Sequence, residues 1–317
     1  MEQTIQIINR VLPILLLLSL GYWIRVKNFL SPPTIEDLRK FVVNITLPAV
    51  LFISFLEIEL KSAYFFIFGF TFLLCILLFL LGQLLQKQLK IKYEYFPYLT
   101  TGFEYGMLGI SLFGSAYGLS KIGYIAVVDL GHEIFIWFVF LPLLLMKRDG
   151  NQSLAGIGRS FATSPVVIAI LASLILNVLG TAAALYELPV TGALMATLQF
   201  LGSLTIPLIL IIVGYGIKFD RHGLQDSLQI VVIRLVILIP LALIVNTFLI
   251  RNLLQLDAFF EAAIFTLLIS PPPFIVPLYA KKSLPITEKQ YINNVLMVHT
   301  VISIAVFIIY FALNPLV

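Results

Sequence analysis

The chain has 317 residues, of which 60% are hydrophobic and 11% charged, with a net charge of +4; its mean hydropathy is +1.05. A soluble domain is nearer a quarter charged, so the composition excludes a soluble enzyme, a nucleic-acid binder or a sensor with a sizeable output domain. It requires a polytopic membrane protein, and its single cysteine, Cys75, permits no intrachain disulfide.

About 20 apolar residues make a helix that crosses the hydrocarbon core. That length predicts ten spans, at 5–25, 38–57, 63–85, 95–118, 122–146, 163–180, 193–216, 228–249, 258–280 and 291–314. The first resembles a signal-peptide core, but it runs on through GYWIRV without a small-residue cleavage site and reads as a retained helix. The fourth is interrupted by glycines in GFEYGMLGIS (102–111), and the ninth by four prolines in SPPPFIVP (270–277). Proline cannot continue an α-helix there, and unsatisfied backbone in lipid is costly, so both breaks are expected to serve a purpose.

The loops set the orientation. Those after the odd-numbered spans carry fifteen Lys and Arg, including Lys218, Arg221 and Lys282; those after the even-numbered spans carry only Lys61, Lys121 and Arg251. By the positive-inside rule the odd loops are cytoplasmic and both termini lie outside a cell membrane.

The two halves echo one another. NITLPAVLF (44–52) resembles SLTIPLILI (203–211), and YIAVVDLGHEIFIWFVF (124–140) lies over YINNVLMVHTVISIAVF (291–307), matching His132 with His299. Five helices per copy is an odd number, so the second copy is expected to be inverted. Inverted repeats with broken helices in matching positions point to a secondary transporter with its site at the midplane.

RVLPILLLLSLGYWIRVKNFLS (10–31), FVVNITLPAVLF (41–52), GFEYGMLGISLFGSAYG (102–118), SLTIPLILIIVGYGIKF (203–219) and RLVILIPLAL (234–243) resemble the auxin efflux carrier family, which includes bacterial malate and malonate permeases. The resemblance implies an all-α fold of two inverted five-helix repeats in which helices 4 and 9 unwind and cross. It also implies a dimerising scaffold, helices 1–2 (1–60) and 6–7 (160–222), and a transport domain, helices 3–5 (61–150) and 8–10 (223–317). The chain departs from the family at the crossover, where Glu104 replaces the usual Asn, Ser111 the usual Pro and His132 an Asn.

The candidate residues follow from depth and chemistry. Glu104, near the middle of the fourth span, is an intramembrane acid in need of a partner, and His132 is expected to be that partner. Asp129 is read as the inward residue of its helix, with Glu133 on another face, and His299 as a second mid-depth imidazole. Arg234 is expected to pair with a carboxylate or phosphate, or to snorkel to the cytoplasmic surface. A substrate carboxylate is expected between half-helix N-termini near Gly109–Ser111 and Phe274–Pro277, with Ser270, Pro273, Asn44 and Tyr105 lining the site. HEIFI (132–136) lacks the second histidine of a zinc protease, no G-x-S-x-G is present, and no enzyme activity, cofactor or metal is expected. The expected function is an elevator-like carrier of a small organic anion coupled to H+ or Na+; the alternatives are an auxin-like aromatic carboxylate exporter or a passive anion channel.

Overall fold

The computed structural model describes residues 2–149, 159, 161–217, 224–281 and 284–316; Lys218, Arg221 and Lys282 lie outside them. Every regular element among these residues is helical. In chain order they are α1 (Glu2–Val26), α2 (Pro32–Glu57), α3 (Ala63–Gln88), α4 (Phe96–Thr100), α5 (105–117), α6 (Leu119–Arg148), α7 (Pro165–Val178), α8 (Ala182–Glu187), α9 (Pro189–Gly216), α10 (Leu224–Leu253), α11 (Ala258–Ile269), α12 (Ile275–Tyr279) and α13 (Ile286–Leu313). Seven of them are long and apolar enough to cross a membrane, so the chain is a multi-pass membrane protein. Helical segments stand at each of the ten expected spans, the sixth as the 14-residue α7 and the fourth and ninth as the broken pairs α4–α5 and α11–α12.

Local chemistry explains the ends that hydropathy misplaces. α2 begins six residues earlier than the apolar run, because Ser31 accepts a hydrogen bond from Thr34 N–H and prolines occupy the first turn. That turn is polar, so an apolar ruler cannot see it. At its other end, Asn177 of α7 donates to the carbonyls of Phe55, Leu56 and Ile58, satisfying the last turn of α2 inside the fold.

The helices pack in two sets. α1 lies along α9 so closely that a methyl group on Gly21 or Gly214 would stand 2.1 Å from the carbonyl oxygen of Ile211 or Leu18. α9 and α7 in turn pack on α2. In the other set, α3 packs on α6, α6 on α11, and α10 on both α11 and α13. The seam between the sets runs along α2, α5, α6 and α9, and the two broken helices meet beside it.

Candidate functional site

The first break begins at Thr101, where α4 ends, and passes through Gly102 at φ +68°, a left-handed conformation that glycine adopts without strain. There is no room for a side chain at this point, since a methyl on Gly102 would stand 2.7 Å from Pro273 Cγ of the other break. In the second break, three consecutive prolines after Ser270 leave Phe274 N–H as the first backbone donor.

Glu104 joins the two. Its N–H donates to Pro271 O at 2.7 Å, and its carboxylate accepts from Phe274 N–H at 2.6 Å and from Met107 N–H at 3.3 Å. One carboxylate thus caps the first turn of α5 and the start of α12 together, where the peptide dipoles favour negative charge. α5 accordingly starts at Tyr105, not near Gly109–Ser111, and the place expected for a substrate carboxylate is held by the chain's own.

Arg234 is the counterpart at the opposite ends. Its guanidinium donates to Leu99 O at 3.2 Å, Gly102 O at 3.0 Å and Ser270 O at 3.1 Å, and it lies 5.3 Å from the Phe103 ring centroid. These carbonyls are the orphans left where α4 and α11 stop, so a buried cation serves the negative ends of both half-helices. The expectation of a carboxylate partner or a snorkelling side chain does not hold. The rigid fork is spent on backbone.

The expected Glu104–His132 pair is also replaced. Phe103 N–H donates to His132 Nε2 at 3.0 Å, so that nitrogen is an acceptor and the proton resides on Nδ1, which meets Asp129 Oδ1 at 2.7 Å. His132 is therefore a neutral brace holding the first break to α6. Asp129 and Glu133 do not take separate faces. Asp129 precedes His132 by three residues and Glu133 by four, both helical neighbours, and the ligating atoms of all three lie within 4.8 Å of one another. The spacing was visible in the sequence, and Glu133 is the residue missed by reading only the flanks of His132. Trp137 Nε1 donates to its other side at 3.0 Å.

His299 is buried, and neither of its ring nitrogens has a hydrogen-bond partner among the described residues. The sequence register that matches His132 with His299 explains why. Leu296 stands where Asp129 would be, and aligning the caps at Glu104 and Phe274 sets Pro273, which has no N–H, against Phe103.

Other expected site residues are placed elsewhere. Ser111 donates to Met107 O and Leu108 O, and Ser270 to Thr266 O, so both hydroxyls are spent on their own helices. Gly109 passes Ser270 at the crossing, where a methyl would stand 3.8 Å from its Oγ. Asn44 is exposed and bonds Lys40 O, and Pro277 lies on the exposed side of α12. Pro273 is buried against Gly102, and Tyr105 is buried with its hydroxyl unpartnered among the described residues. Glu261 makes a two-bond pair with Arg251, away from the break.

Two cavities follow the seam between the helix sets. The larger, about 620 Å3, opens among the ends of α2, α6 and α9 and is rimmed by Glu57, Glu59, Lys61, Lys121 and Asp257. The smaller, an inner chamber of about 200 Å3, lies further along α2 and α6, with Tyr105, Gly106, Asp129 and Glu133 on one side and Leu47, Leu51, Val167 and Ile170 on the other. The smaller one is the candidate solute site, because it combines apolar walls with a few convergent polar groups; the larger has a charged rim.

Broken, charge-capped helices inside an all-helical, multi-pass membrane protein define a transporter class. The membrane transport protein family matches residues 6–311, and the chain belongs to that family, the one its motifs resemble through the auxin efflux carriers. It is a family of transporters, not of enzymes. No curated protein matches the chain.

Proposed function

We propose that the protein is an elevator-type secondary carrier that moves a small organic anion, a mono- or dicarboxylate, across the cytoplasmic membrane together with a proton. The observation that carries this reading is the double cap by Glu104. The Met107 and Phe274 N–H groups that a substrate carboxylate would need are bonded to Glu104. One set of donors serves one negative charge, so the substrate binds when Glu104 is protonated and released. One anion then enters with one proton. The charged or titratable groups acting on Glu104 include Arg39, from α2, and His132 and Asp129, from α6.

The moving part in this proposal is the set α3–α6 with α10–α13, and the scaffold is α1, α2, α7 and α9, which also dimerises. The exposed apolar face of α7 at Ile168, Leu171 and Ile175 is compatible with that contact. In this reading each of two inverted five-helix repeats, spans 1–5 and 6–10, gives two helices to the scaffold and three to the moving set, with both termini outside. Separate packing within each set supports the division, as does a seam with a charge-rimmed cavity and an inner chamber lined from both sides.

Purified protein in liposomes is expected to show saturable carboxylate uptake with counterflow, accelerated by an inward proton gradient. Glu104→Gln should retain counterflow but lose the response to the gradient. Gradient-driven accumulation that survives in Glu104→Gln would defeat the exchange mechanism, and unsaturable flux would identify a channel.

A further inference from the structure

We infer that the inner chamber recognises an organic ammonium group through Asp129, Glu133 and Tyr105, which makes the substrate an amino carboxylate with an aliphatic side chain. The inference rests on the carboxylate reading above and deepens it.

Both acids are oriented by groups outside the chamber. Asp129 is held at Oδ1 by His132 and Glu133 at Oε2 by Trp137, while the two carboxyls face each other in hydrogen-bond contact. Two carboxyls in such contact cannot both be ionised; they share a proton, whose place a positive group bound between them would take. The second observation is independent of the acids. The Tyr105 hydroxyl is buried, has no partner among the described residues, and belongs to a side chain lining the same chamber. A buried polar group without a partner is costly, and two carboxyls with a hydroxyl are acceptors matched to the three N–H bonds of an ammonium.

A metal fits less well. The third potential ligand, His132, has Nε2 engaged by Phe103 N–H and Nδ1 by Asp129, leaving oxygen donors alone. The chamber, at about 200 Å3, is also far larger than an ion and its opposite wall is aliphatic. That volume equals about six or seven waters, the size of a branched aliphatic amino acid. The first turn of α5 connects the two ends of such a solute. Tyr105 and Gly106 line the chamber, and Met107 N–H is one of the donors held by Glu104.

The test uses three matched probes on the full-length protein at acidic pH: leucine, 4-methylpentanoate, which lacks the ammonium, and 3-methylbutylamine, which lacks the carboxylate. Leucine is expected to bind at least about tenfold tighter than either, the worth of one charge-assisted hydrogen-bond set. Glu133→Gln, and Tyr105→Phe as the variant that deletes one hydroxyl only, should shrink the preference for leucine over 4-methylpentanoate. Equal or tighter binding of 4-methylpentanoate in the wild type overturns the ammonium site and leaves the carboxylate reading standing. Tightest binding by 3-methylbutylamine, indifferent to Glu104→Gln, overturns the amino-carboxylate class by removing the carboxylate half. Binding of none of the three at millimolar concentration overturns the proposal, as does an undiminished preference in both variants.

Discussion

Glu104 and Arg234 carry the strongest local argument. Each is an ionisable group in the interior of a membrane helix bundle, and neither has a side-chain ion pair among the described residues; each is bonded to backbone at a helix break. Hydrogen bonds to charged groups contribute about 1.5–3 kcal/mol each. Arg234→Lys keeps the charge but loses the fork that reaches three carbonyls, so it should lower stability by about 1.5–3 kcal/mol. Arg234→Met should cost more, since it leaves those carbonyls unmet. Thermal unfolding in detergent reads both, and an Arg234→Met protein as stable as the wild type would refute the capping role. The position of these charges was plain in the sequence, but their partners were not. A carbonyl at the end of a half-helix carries no residue-type signature, so reasoning from side chains alone looked for carboxylates and imidazoles.

At the scale of elements, the break in α4–α5 depends on close backbone approach. Gly102 combines φ +68° with the Pro273 ring against its Cα. Gly102→Ala should cost about 1–2 kcal/mol for the left-handed backbone alone, with further loss from the contact. Gly216→Ala, where a methyl would meet nothing within 4 Å, is the control and should be neutral. A Gly102→Ala protein with unaltered stability and transport would show that the crossing tolerates separation. The glycines and prolines announced these breaks, because their effect on the backbone is local. Which half-helix starts where was less legible. Glu104 caps α5 five residues earlier than the expected Gly109, a boundary decided by a side chain whose second oxygen is bonded in the other half of the chain.

At the scale of the molecule, the two helix sets and the chamber between them imply relative movement. Leu47 of α2 and Gly106 of α5 meet at the edge of the chamber, with a methyl on Gly106 standing 3.8 Å from Leu47 Cδ2. In a background lacking the one native cysteine, Cys75, joining Leu47→Cys to Gly106→Cys with a short thiol cross-linker should arrest transport. Joining Phe265→Cys to Tyr310→Cys, whose rings stack 3.8 Å apart within one set, should not. Full transport by the first cross-linked protein would rule out sliding along this seam. Orientation has its own check: an impermeant thiol reagent on intact cells should label Lys121→Cys and spare Lys90→Cys.

Membrane insertion, the helical class and the two breaks were determined by the sequence alone. Each follows from local properties, namely apolar length and backbone restriction. The tertiary structure decided how the breaks are satisfied. Phe274 and Glu104 are 170 residues apart, and Arg234 reaches carbonyls 132 and 135 residues before it. It also turned Asn44 outward, spent the Ser111 and Ser270 hydroxyls on their own helices, and left His299 without the partners that His132 has. Hydrogen-bond donors and acceptors must be matched wherever the fold brings them together inside lipid, and only the packed chain specifies which of them meet.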